Sequence, residues 1–166
     1  MPERLAIYPG SFDPPTYGHL DLVERATRMF TQVVVAVARN PDKTGLFSVD
    51  ERVEMLKATT SHLLSVEVDA FEGLTVEYAR KRKAVALVRG LRVASDFELE
   101  LTMAITNQKL LPGIDTVCLM PSEQYLFLSS RLVREIAQLG GDVTPFVPPE
   151  VSQRLRQKLP NSNPQG

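Results

Sequence analysis

The chain has 166 residues, of which 43% are hydrophobic and 23% are charged, and its formal net charge is −1. This length and composition are those of one ordinary globular domain with a hydrophobic core. A net charge near zero provides no global field for nucleic acid, and no apolar run has the length of a membrane span or the layout of a secretory signal. We therefore expect a cytoplasmic protein with no nucleic-acid or membrane partner, with one domain over residues 1–160 and a disordered tail at 161–166.

Cysteine and histidine are too few for a disulfide framework or a typical zinc site. Cys118 is the only cysteine, and the two histidines, His19 and His62, are not spaced as metal ligands. Cys118 lies in the apolar run 117–120, which predicts burial in a strand rather than a reactive thiol. We expect no metal site built from protein side chains.

The N-terminal segment has the pattern of a strand, a turn and an amphipathic helix. Residues 5–8 (LAIY) form an apolar run typical of a strand buried on both faces, and a Pro-Gly pair ends it. Apolar residues then recur at helical spacing over 22–30, which predicts a helix beginning near Gly18 or His19. The N-terminus of such a helix presents free backbone N–H groups and a positive dipole end, which attract phosphate.

A second strand and a polar loop follow this helix. The β-branched run 32–38 predicts the second strand of a right-handed βαβ unit. The loop 39–45 lies at the carboxyl end of that strand, where open α/β sheets bind ligands. Lys43 in this loop is either a solvated lysine, which composition alone favours, or a ligand contact.

The next segments continue the alternation of helices and strands. Ser48 and Glu51 form a capping-box pattern, which predicts the start of a helix. Residues 66–70 alternate apolar and acidic side chains, as in a strand close to a sheet edge, and Leu74 opens another helix.

Two arginines flank a glycine directly after the next predicted strand, 84–88. The sequence RGLR at 89–92 can present planar, permanently charged groups to phosphate oxygens. The alternative is an ordinary surface loop, but a structural loop seldom requires two such arginines. We predict a phosphate contact here.

A long helix, a strand and two further helices complete the chain. Ser95 and Glu98 form a second capping-box pattern. A helical stripe then runs to about residue 110 through Phe97, Leu101, Ala104 and Ile105. Residues 115–120 predict the final inner strand, and 121–128 a loop. A helix then starts near Ser129 and Ser130 and ends at a Gly-Gly pair, and a last helix covers about 151–159. The paired serines can cap their helix, donate hydroxyls to a phosphate, or do both.

Five predicted strands alternating with helices indicate an α/β fold with a doubly wound parallel sheet of order 3-2-1-4-5. In this order strands 2 and 3 lie on one side of strand 1 and strands 4 and 5 on the other, so the switch point lies between strands 1 and 4. Loops 9–19 and 89–92, the two segments best suited to phosphate, would therefore meet at the crevice where such folds bind ligands.

The segment YPGSFDPPTYGH at 8–19, together with RGLR at 89–92, resembles the bacterial phosphopantetheine adenylyltransferase family of the nucleotidylyltransferase superfamily. Members of this superfamily carry a (Thr/His)-x-Gly-His motif after the first strand of a Rossmann-like sheet, and TYGH matches it at 16–19. The segment 128–134 resembles the second superfamily signature, except that Arg131 stands where Ser or Thr is common. The alternative for TYGH is an ordinary helix start.

The resemblance implies a reversible transfer of AMP from ATP to 4′-phosphopantetheine, which gives dephospho-coenzyme A and pyrophosphate. It also implies Mg²⁺ with ATP, coenzyme A as a further ligand, and a homohexamer. Another adenylyl- or cytidylyltransferase, such as nicotinamide mononucleotide adenylyltransferase, and a nucleotide-binding domain without turnover are the alternatives.

The resemblance also implies roles for individual residues. His19 and Lys43 would be catalytic. ATP would contact Ser11, Phe12, His19, Gly90, Leu91, Arg92, Glu100, Tyr125, Leu126, Phe127, Leu128, Ser129, Ser130 and Arg131. The acceptor substrate would contact Ser11, Lys43, Thr75, Arg89 and Asn107.

Overall fold

Strands and helices alternate along the chain, as the sequence pattern predicts. The structure is a computed structural model that describes residues 2–160, so the tail predicted at 161–166 lies outside the described residues. The elements are β1 (Leu5–Gly10), α1 (Tyr17–Ala26), β2 (Gln32–Arg39), α2 (Val49–Thr60), β3 (Val66–Glu72), α3 (Thr75–Arg82), β4 (Ala86–Gly90), α4 (Ala94–Leu110), β5 (Asp115–Leu119), α5 (Ser130–Gln138) and α6 (Pro149–Lys158), with a short 3-10 turn at Glu123–Tyr125.

The five strands form one parallel sheet in the order β3-β2-β1-β4-β5, which confirms the predicted topology. The central strand β1 pairs with β2 on one side and with β4 on the other, and Ile7 lies opposite Val34 and Leu87. Because the chain winds outward in both directions from β1, the carboxyl ends of β1 and β4 leave a crevice between their loops.

The core lies on both faces of the sheet because successive strand residues point to opposite sides. Ala6, Tyr8 and Val35 belong to one buried cluster, whereas Ile7 and Val34 belong to the cluster on the other face. A third cluster packs α5 and α6 against α2 and the segment before α5 through Phe47, Met55, Leu128, Val133 and Val151. This third cluster fixes the segment that leads into the serine pair at 129–130.

The last strand is an edge strand, as the predicted order 3-2-1-4-5 requires, so its description as an inner strand was wrong. β5 pairs only with β4 within the described sheet. Cys118 was predicted to be buried and is instead exposed on this edge strand. Its apolar neighbours in sequence misled the prediction, because an apolar run does not reveal whether a strand has one neighbour or two. The other edge strand, β3, was predicted to lie near an edge, and it does.

Helix α4 differs from its prediction in both its cap and its exposure. The helix begins at Ala94, so Ser95 lies inside it and does not cap it. The N-cap is Val93, and Asp96 at the third helical position accepts through Oδ2 from the backbone N–H groups of Arg92 at 3.1 Å and Val93 at 3.4 Å. The predicted stripe is largely open to solvent, since Phe97 is 53% exposed and Ile105 is 50% exposed.

Helix α1 begins close to the predicted position but ends earlier. Thr16 is the N-cap, and the helix stops at Ala26 rather than continuing to Phe30. Phe30 is buried, as predicted, whereas Met29 is 46% exposed. Within residues 2–160, no helix is long and apolar enough to cross a membrane.

Candidate active site

The loops after β1 and β4 meet at the carboxyl edge of the sheet and enclose a cavity of about 300 Å³. We call it the first cavity. The N-terminal turn of α1 forms its floor, through Gly18 and His19, and the loop after β4 forms one side through Gly90 and Arg92. The segment before α5 closes it through Tyr125, Leu128, Ser129 and Ser130. The predicted convergence of these loops is confirmed.

A second cavity of about 270 Å³ lies on the other side of the β1 loop. Its walls are more apolar and include Phe71, Leu87 and Met103, with polar groups from Thr75 and Asn107. The two cavities have five lining residues in common, which form a shared wall: Pro9, Gly10, Ser11, Arg89 and Glu100. A ligand that reaches from one cavity to the other would pass this wall.

His19 is held by a reciprocal cap at the start of α1. The backbone N–H of Thr16 donates to Nδ1 of His19 at 3.0 Å, and the backbone N–H of His19 donates to Oγ1 of Thr16 at 3.3 Å. Because Nδ1 accepts a hydrogen bond, the neutral imidazole carries its proton on Nε2. The cap therefore leaves one N–H donor on the half-buried ring that lines the first cavity.

The surroundings of His19 keep it neutral. Burial, together with the positive charges of Arg92 and Arg89, lowers the pKa of His19 to about 4. The ring of Phe12 packs edge-on against His19 with 5.0 Å between centroids, and against Tyr8 with 5.1 Å. Phe12 is 2% exposed and has a positive φ of 52°, a strained conformation that this packing maintains. His19 is thus a fixed neutral donor at neutral pH.

Arg89 forms a bidentate ion pair with Glu100 at the shared wall. Its Nε donates to both carboxylate oxygens of Glu100, at 3.0 and 3.1 Å, and its Nη2 donates to Oε1 at 2.8 Å. Its Nη1 donates to the carbonyl oxygen of Pro9 at 2.6 Å. Burial by itself lowers the pKa of Arg89, but the hydrogen bonds and charge of Glu100 raise it overall, so the guanidinium stays charged.

Arg92 connects two walls of the first cavity. Its Nε donates to Asp96 at 3.2 Å, and its Nη1 donates to the carbonyl oxygen of Leu128 at 2.8 Å. The side chain therefore ties the start of α4 to the segment before α5. Arg92, Arg89 and the N-terminus of α1 give this cavity N–H donors for an anionic ligand, while Asp96 and Glu100 in the same lining balance the formal charges of the two arginines.

Ser129 and Ser130 both use their hydroxyl groups in hydrogen bonds within the chain. Ser129 Oγ accepts from the backbone N–H of Leu132 at 3.1 Å and caps α5, while Ser130 Oγ donates to the carbonyl oxygen of Pro14 at 2.7 Å. Arg131 points to solvent and pairs with Glu135 at 3.3 Å. Both serines nevertheless line the first cavity.

The loop after β5 is anchored to α1. Asp21 accepts from the backbone N–H and the hydroxyl of Ser122, both at 2.9 Å. Tyr125 in the same loop stacks on Tyr17, with centroids 6.1 Å apart. These contacts position the Tyr125 wall relative to the helix that carries His19.

Asp13 is buried beside the site but is engaged by backbone groups. Its Oδ2 accepts from the N–H of Leu46 at 2.8 Å, and its Oδ1 accepts from the N–H of Phe47 at 2.9 Å. Both oxygens therefore hold the loop before α2. This arrangement makes Asp13 a structural residue and not a base aimed at a ligand.

The structure brings together most of the residues that the resemblance implied. The first cavity is lined by Ser11, Phe12, His19, Gly90, Arg92, Glu100, Tyr125, Leu128, Ser129 and Ser130. The second cavity is lined by Ser11, Thr75, Arg89 and Asn107. Five implied residues line neither cavity: Lys43, Leu91, Leu126, Phe127 and Arg131. Lys43 is exposed in the loop between β2 and α2.

Sequence reasoning missed several residues of the site. Tyr8, Thr16 and Asp96 line the first cavity, and Phe71 and Met103 line the second. The position of Tyr8 next to the end of the first strand was an available signal, since ligands bind at strand ends. Met103 had no such signal, because its place depends on how α4 crosses the sheet.

Comparisons with known proteins show which family the chain is similar to. Residues 7–136 match the cytidylyltransferase-like family model. The chain is 58% identical over 151 residues to a phosphopantetheine adenylyltransferase from Thermosynechococcus vestitus, covering 91% of this chain and 90% of that protein. It is 53% identical over 159 residues to a phosphopantetheine adenylyltransferase from Caldanaerobacter subterraneus subsp. tengcongensis, covering 96% and 99%.

Solved structures share the fold at much lower identity. One is a Vibrio parahaemolyticus protein assigned as a nicotinate-nucleotide adenylyltransferase, with a TM-score of 0.69 and 18% identity, covering 93% of this chain and 99% of that chain. Another is the Plasmodium falciparum nicotinic acid mononucleotide adenylyltransferase complexed with NaAD, with a TM-score of 0.66 and 16% identity, covering 95% and 96%. Fold, signatures and high identity over nearly the full length together show that the chain belongs to the cytidylyltransferase-like family and, within it, to the phosphopantetheine adenylyltransferases.

Proposed function

We propose that this chain transfers AMP from ATP to 4′-phosphopantetheine, reversibly, to give dephospho-coenzyme A and pyrophosphate. The observation that carries this proposal is the pair of cavities with a shared wall. The first cavity, with Arg92 and the N-terminus of α1, suits a triphosphate. The second, with Phe71 and Met103, suits an uncharged flexible arm, and Arg89 at the shared wall suits the phosphate of that arm.

The reaction is an in-line displacement at the α-phosphorus of ATP. A phosphate oxygen of phosphopantetheine forms the new P–O bond, and the bond to the α,β-bridging oxygen breaks, so that its electron pair leaves with pyrophosphate. The attacking phosphate has a second pKa near 6 by analogy with phosphorylated side chains, and is therefore largely dianionic at neutral pH. No protein base is required, which agrees with the structural role of Asp13.

His19 stabilises the charge that grows on the α-phosphate oxygens. Its Nε2–H donor is fixed by the contact of Nδ1 with the Thr16 backbone, so it needs no reorganisation during the reaction. Lys43 is the second catalytic residue in this proposal and would contact the phosphates from the loop after β2. Since Lys43 lines neither cavity in the present structure, its role rests on the family resemblance and requires the loop to approach the bound substrates.

The remaining contacts are divided between the two substrates. ATP is held by the lining of the first cavity, and the acceptor by Ser11, Thr75, Arg89 and Asn107. The ATP contacts in this proposal also include four residues that are next in sequence to residues of the first cavity: Leu91, Leu126, Phe127 and Arg131. Dephospho-coenzyme A binds as the product, and coenzyme A as a ligand of the same two cavities.

Mg²⁺ enters this proposal as part of the Mg·ATP substrate. Among residues 2–160, no group of three or more His, Cys, Asp or Glu side chains is arranged to hold a metal ion. Mg²⁺ commonly keeps several waters and binds substrate phosphates rather than an all-protein cage. The triphosphate would supply its ligands here.

The proposed assembly is a homohexamer in the cytoplasm. Helix α4 has an exposed apolar side, which includes Phe97, Leu101 and Ile105 at 47–53% exposure. Surfaces of this kind mark contacts between proteins. A molar mass in light scattering of six times the 18.5-kDa chain would support the hexamer, and a monomeric mass would refute it.

The experiment that tests the proposed function is pyrophosphate release from ATP with a panel of acceptors. We expect turnover with 4′-phosphopantetheine and none with pantetheine, because the attacking group of pantetheine is a protonated alcohol. Equal or better turnover with nicotinamide mononucleotide would overturn the acceptor assignment in favour of another adenylyltransferase. A chain that binds ATP and releases no pyrophosphate with any acceptor would be a nucleotide-binding domain.

A further inference from the structure

Tyr8 lies at the first cavity with a hydroxyl to which the proposed function gives no role. Its side chain is 5% exposed, and it lines the first cavity but not the second. We propose that Tyr8 is a further nucleotide-binding residue, whose hydroxyl donates a hydrogen bond to an oxygen of the AMP moiety of ATP and of dephospho-coenzyme A. This inference rests on the proposed function and deepens it by naming one polar contact on the nucleotide side.

The Tyr8 hydroxyl has no hydrogen-bond partner within residues 2–160. Over the same residues, no fully buried side-chain oxygen or nitrogen lacks a partner. The Tyr8 oxygen must therefore reach open space, and the space that Tyr8 lines is the first cavity. A buried tyrosine usually finds a partner for its hydroxyl. A free hydroxyl that opens into a cavity is therefore available to a ligand.

The ring of Tyr8 is fixed by packing that does not use the hydroxyl. Tyr8 belongs to the central strand β1, where it lies opposite Val35 of β2. Its ring packs edge-on against Phe12 with 5.1 Å between centroids, and the ring of His19 lies 6.5 Å away. Because a strand and an aromatic cluster hold the ring, the hydroxyl has a set position beside the N-terminus of α1 before any ligand binds.

The surroundings of Tyr8 keep its hydroxyl protonated. Burial raises the pKa of Tyr8 well above its ordinary value, although the positive charges of Arg89 and Arg92 act in the opposite direction. A protonated phenol is a neutral hydrogen-bond donor. It can face a phosphate or ribose oxygen without the repulsion that a phenolate would meet. The hydroxyl thus adds one neutral donor to the N–H donors of His19 and Arg92 in the same lining.

Tyr8→Phe tests the contact because it removes the hydroxyl and keeps the ring. The Kd values for ATP without acceptor and for dephospho-coenzyme A, measured by titration calorimetry, are expected to rise by about 3- to 30-fold, the effect of losing one hydrogen bond to a ligand. The KM for 4′-phosphopantetheine at saturating ATP is expected to stay within about twofold of the wild type. Unchanged Kd values for both nucleotides, or a rise confined to the KM for phosphopantetheine, would overturn the inference.

Deoxynucleotides identify the oxygen that accepts. If the acceptor is a ribose hydroxyl, Tyr8→Phe weakens the binding of ATP but not of the one analogue, 2′-deoxy-ATP or 3′-deoxy-ATP, that lacks this hydroxyl. If the acceptor is an α-phosphate oxygen, the substitution weakens the binding of all three nucleotides by the same factor. Either pattern supports a contact with the AMP moiety, whereas wild-type affinity for all three would overturn it.

Tyr78→Phe is the matched control. The Tyr78 hydroxyl donates to Asp69 at 2.6 Å, and Tyr78 lines neither cavity. This variant is expected to lose stability in denaturant unfolding and to keep the wild-type Kd for ATP. Tyr8→Phe is expected to show the opposite, because its hydroxyl has no partner in the chain to lose. An equal rise in Kd in the control, or a loss of stability in Tyr8→Phe, would overturn the inference.

The failure of this inference can be told apart from the failure of the proposed function. Wild-type protein that binds ATP but does not use 4′-phosphopantetheine would refute the proposed function, and the Kd for ATP of Tyr8→Phe would still decide the nucleotide contact. Normal wild-type turnover with phosphopantetheine, together with a wild-type Kd for ATP in Tyr8→Phe, would refute only the role of Tyr8.

Discussion

Thr16 and His19 hydrogen-bond to each other across the first turn of α1. The Thr16 backbone donates to Nδ1 of the imidazole, and the His19 backbone donates to the Thr16 hydroxyl. A capping box normally has Glu or Gln at the third helical position. Here the residue at that position is a histidine, so one contact both caps the helix and sets which ring nitrogen carries the proton.

Thr16→Ala is expected to lower the free energy of unfolding by about 1 kcal/mol, the usual cost of losing an N-cap. It is also expected to lower kcat, because His19 loses part of its support. The measurements are denaturant unfolding and steady-state kinetics. Ser48→Ala is the matched control, since Ser48 caps α2 through the same kind of box with Glu51 at 3.1 Å. If the control loses as much kcat as Thr16→Ala, the cap has no special relation to the site.

His19→Ala is expected to lower kcat about a hundredfold or more, with a modest change in the Kd for ATP, because one preorganised donor to a developing oxyanion is worth roughly 2.7–4 kcal/mol. Asp13→Asn is the comparison. Asp13→Asn is expected to lower the free energy of unfolding by about 1–3 kcal/mol, because one of the two backbone N–H groups that donate to this side chain loses its acceptor. Retained kcat with weakened ATP binding in His19→Ala would show that His19 only binds.

The pKa of His19 predicts a specific pH dependence. The folded-state pKa is about 4 and the ordinary value is 6.5, so the unfolded chain takes up a proton first as the pH falls. Stability contributed by neutral His19 is therefore present above pH 6.5 and is lost as the pH falls towards 4. In a His62→Gln variant, NMR titration of the remaining imidazole should give a midpoint near 4. A midpoint near 6.5 would contradict the assigned environment.

The fall in activity at low pH is expected to come from protonation of the substrate and not of His19. Protonation of the phosphopantetheine phosphate, with a pKa near 6, is expected to lower kcat/KM below that pH in the wild type and in His19→Ala alike.

Lys43→Ala is expected to lower kcat, because the proposal places this charge beside the reacting phosphates once both substrates are bound. Lys57→Ala, an exposed lysine on α2, is the control and should keep wild-type kcat. Steady-state rates at saturating ATP and phosphopantetheine provide the comparison. Wild-type kcat in Lys43→Ala would leave the lysine as the solvated loop residue that composition alone suggests.

The fold and the convergence of the phosphate-binding loops were predictable because they depend on local patterns. Apolar runs, turns and helical spacing each report on a few neighbouring residues, and the strand order follows from general rules of α/β topology. The TYGH segment signalled its own place at a helix start. The residues that line the first cavity therefore include most of those expected.

The errors concern contacts between distant segments. The apolar residues beside Cys118 do not indicate that its side chain is exposed, although the predicted strand order already placed strand 5 at an edge, and nothing near Phe97 indicates that α4 leaves its apolar side open. The Ser95 pattern was a false cap, because the N-cap is Val93, two residues earlier, where Asp96 accepts from the backbone N–H groups of Arg92 and Val93. The Arg89–Glu100 pair joins a strand to a helix, and neither residue alone predicts it.

The structure of a complex with dephospho-coenzyme A tests the central claim most directly. The two cavities should hold the two halves of this one product across the shared wall. We expect the adenylyl group in the first cavity near Tyr125 and Leu128, the pantetheine arm in the second near Phe71 and Met103, and the diphosphate beside His19 and Arg89. A product that lies entirely in one cavity, or whose diphosphate is remote from both His19 and Arg89, would contradict the account.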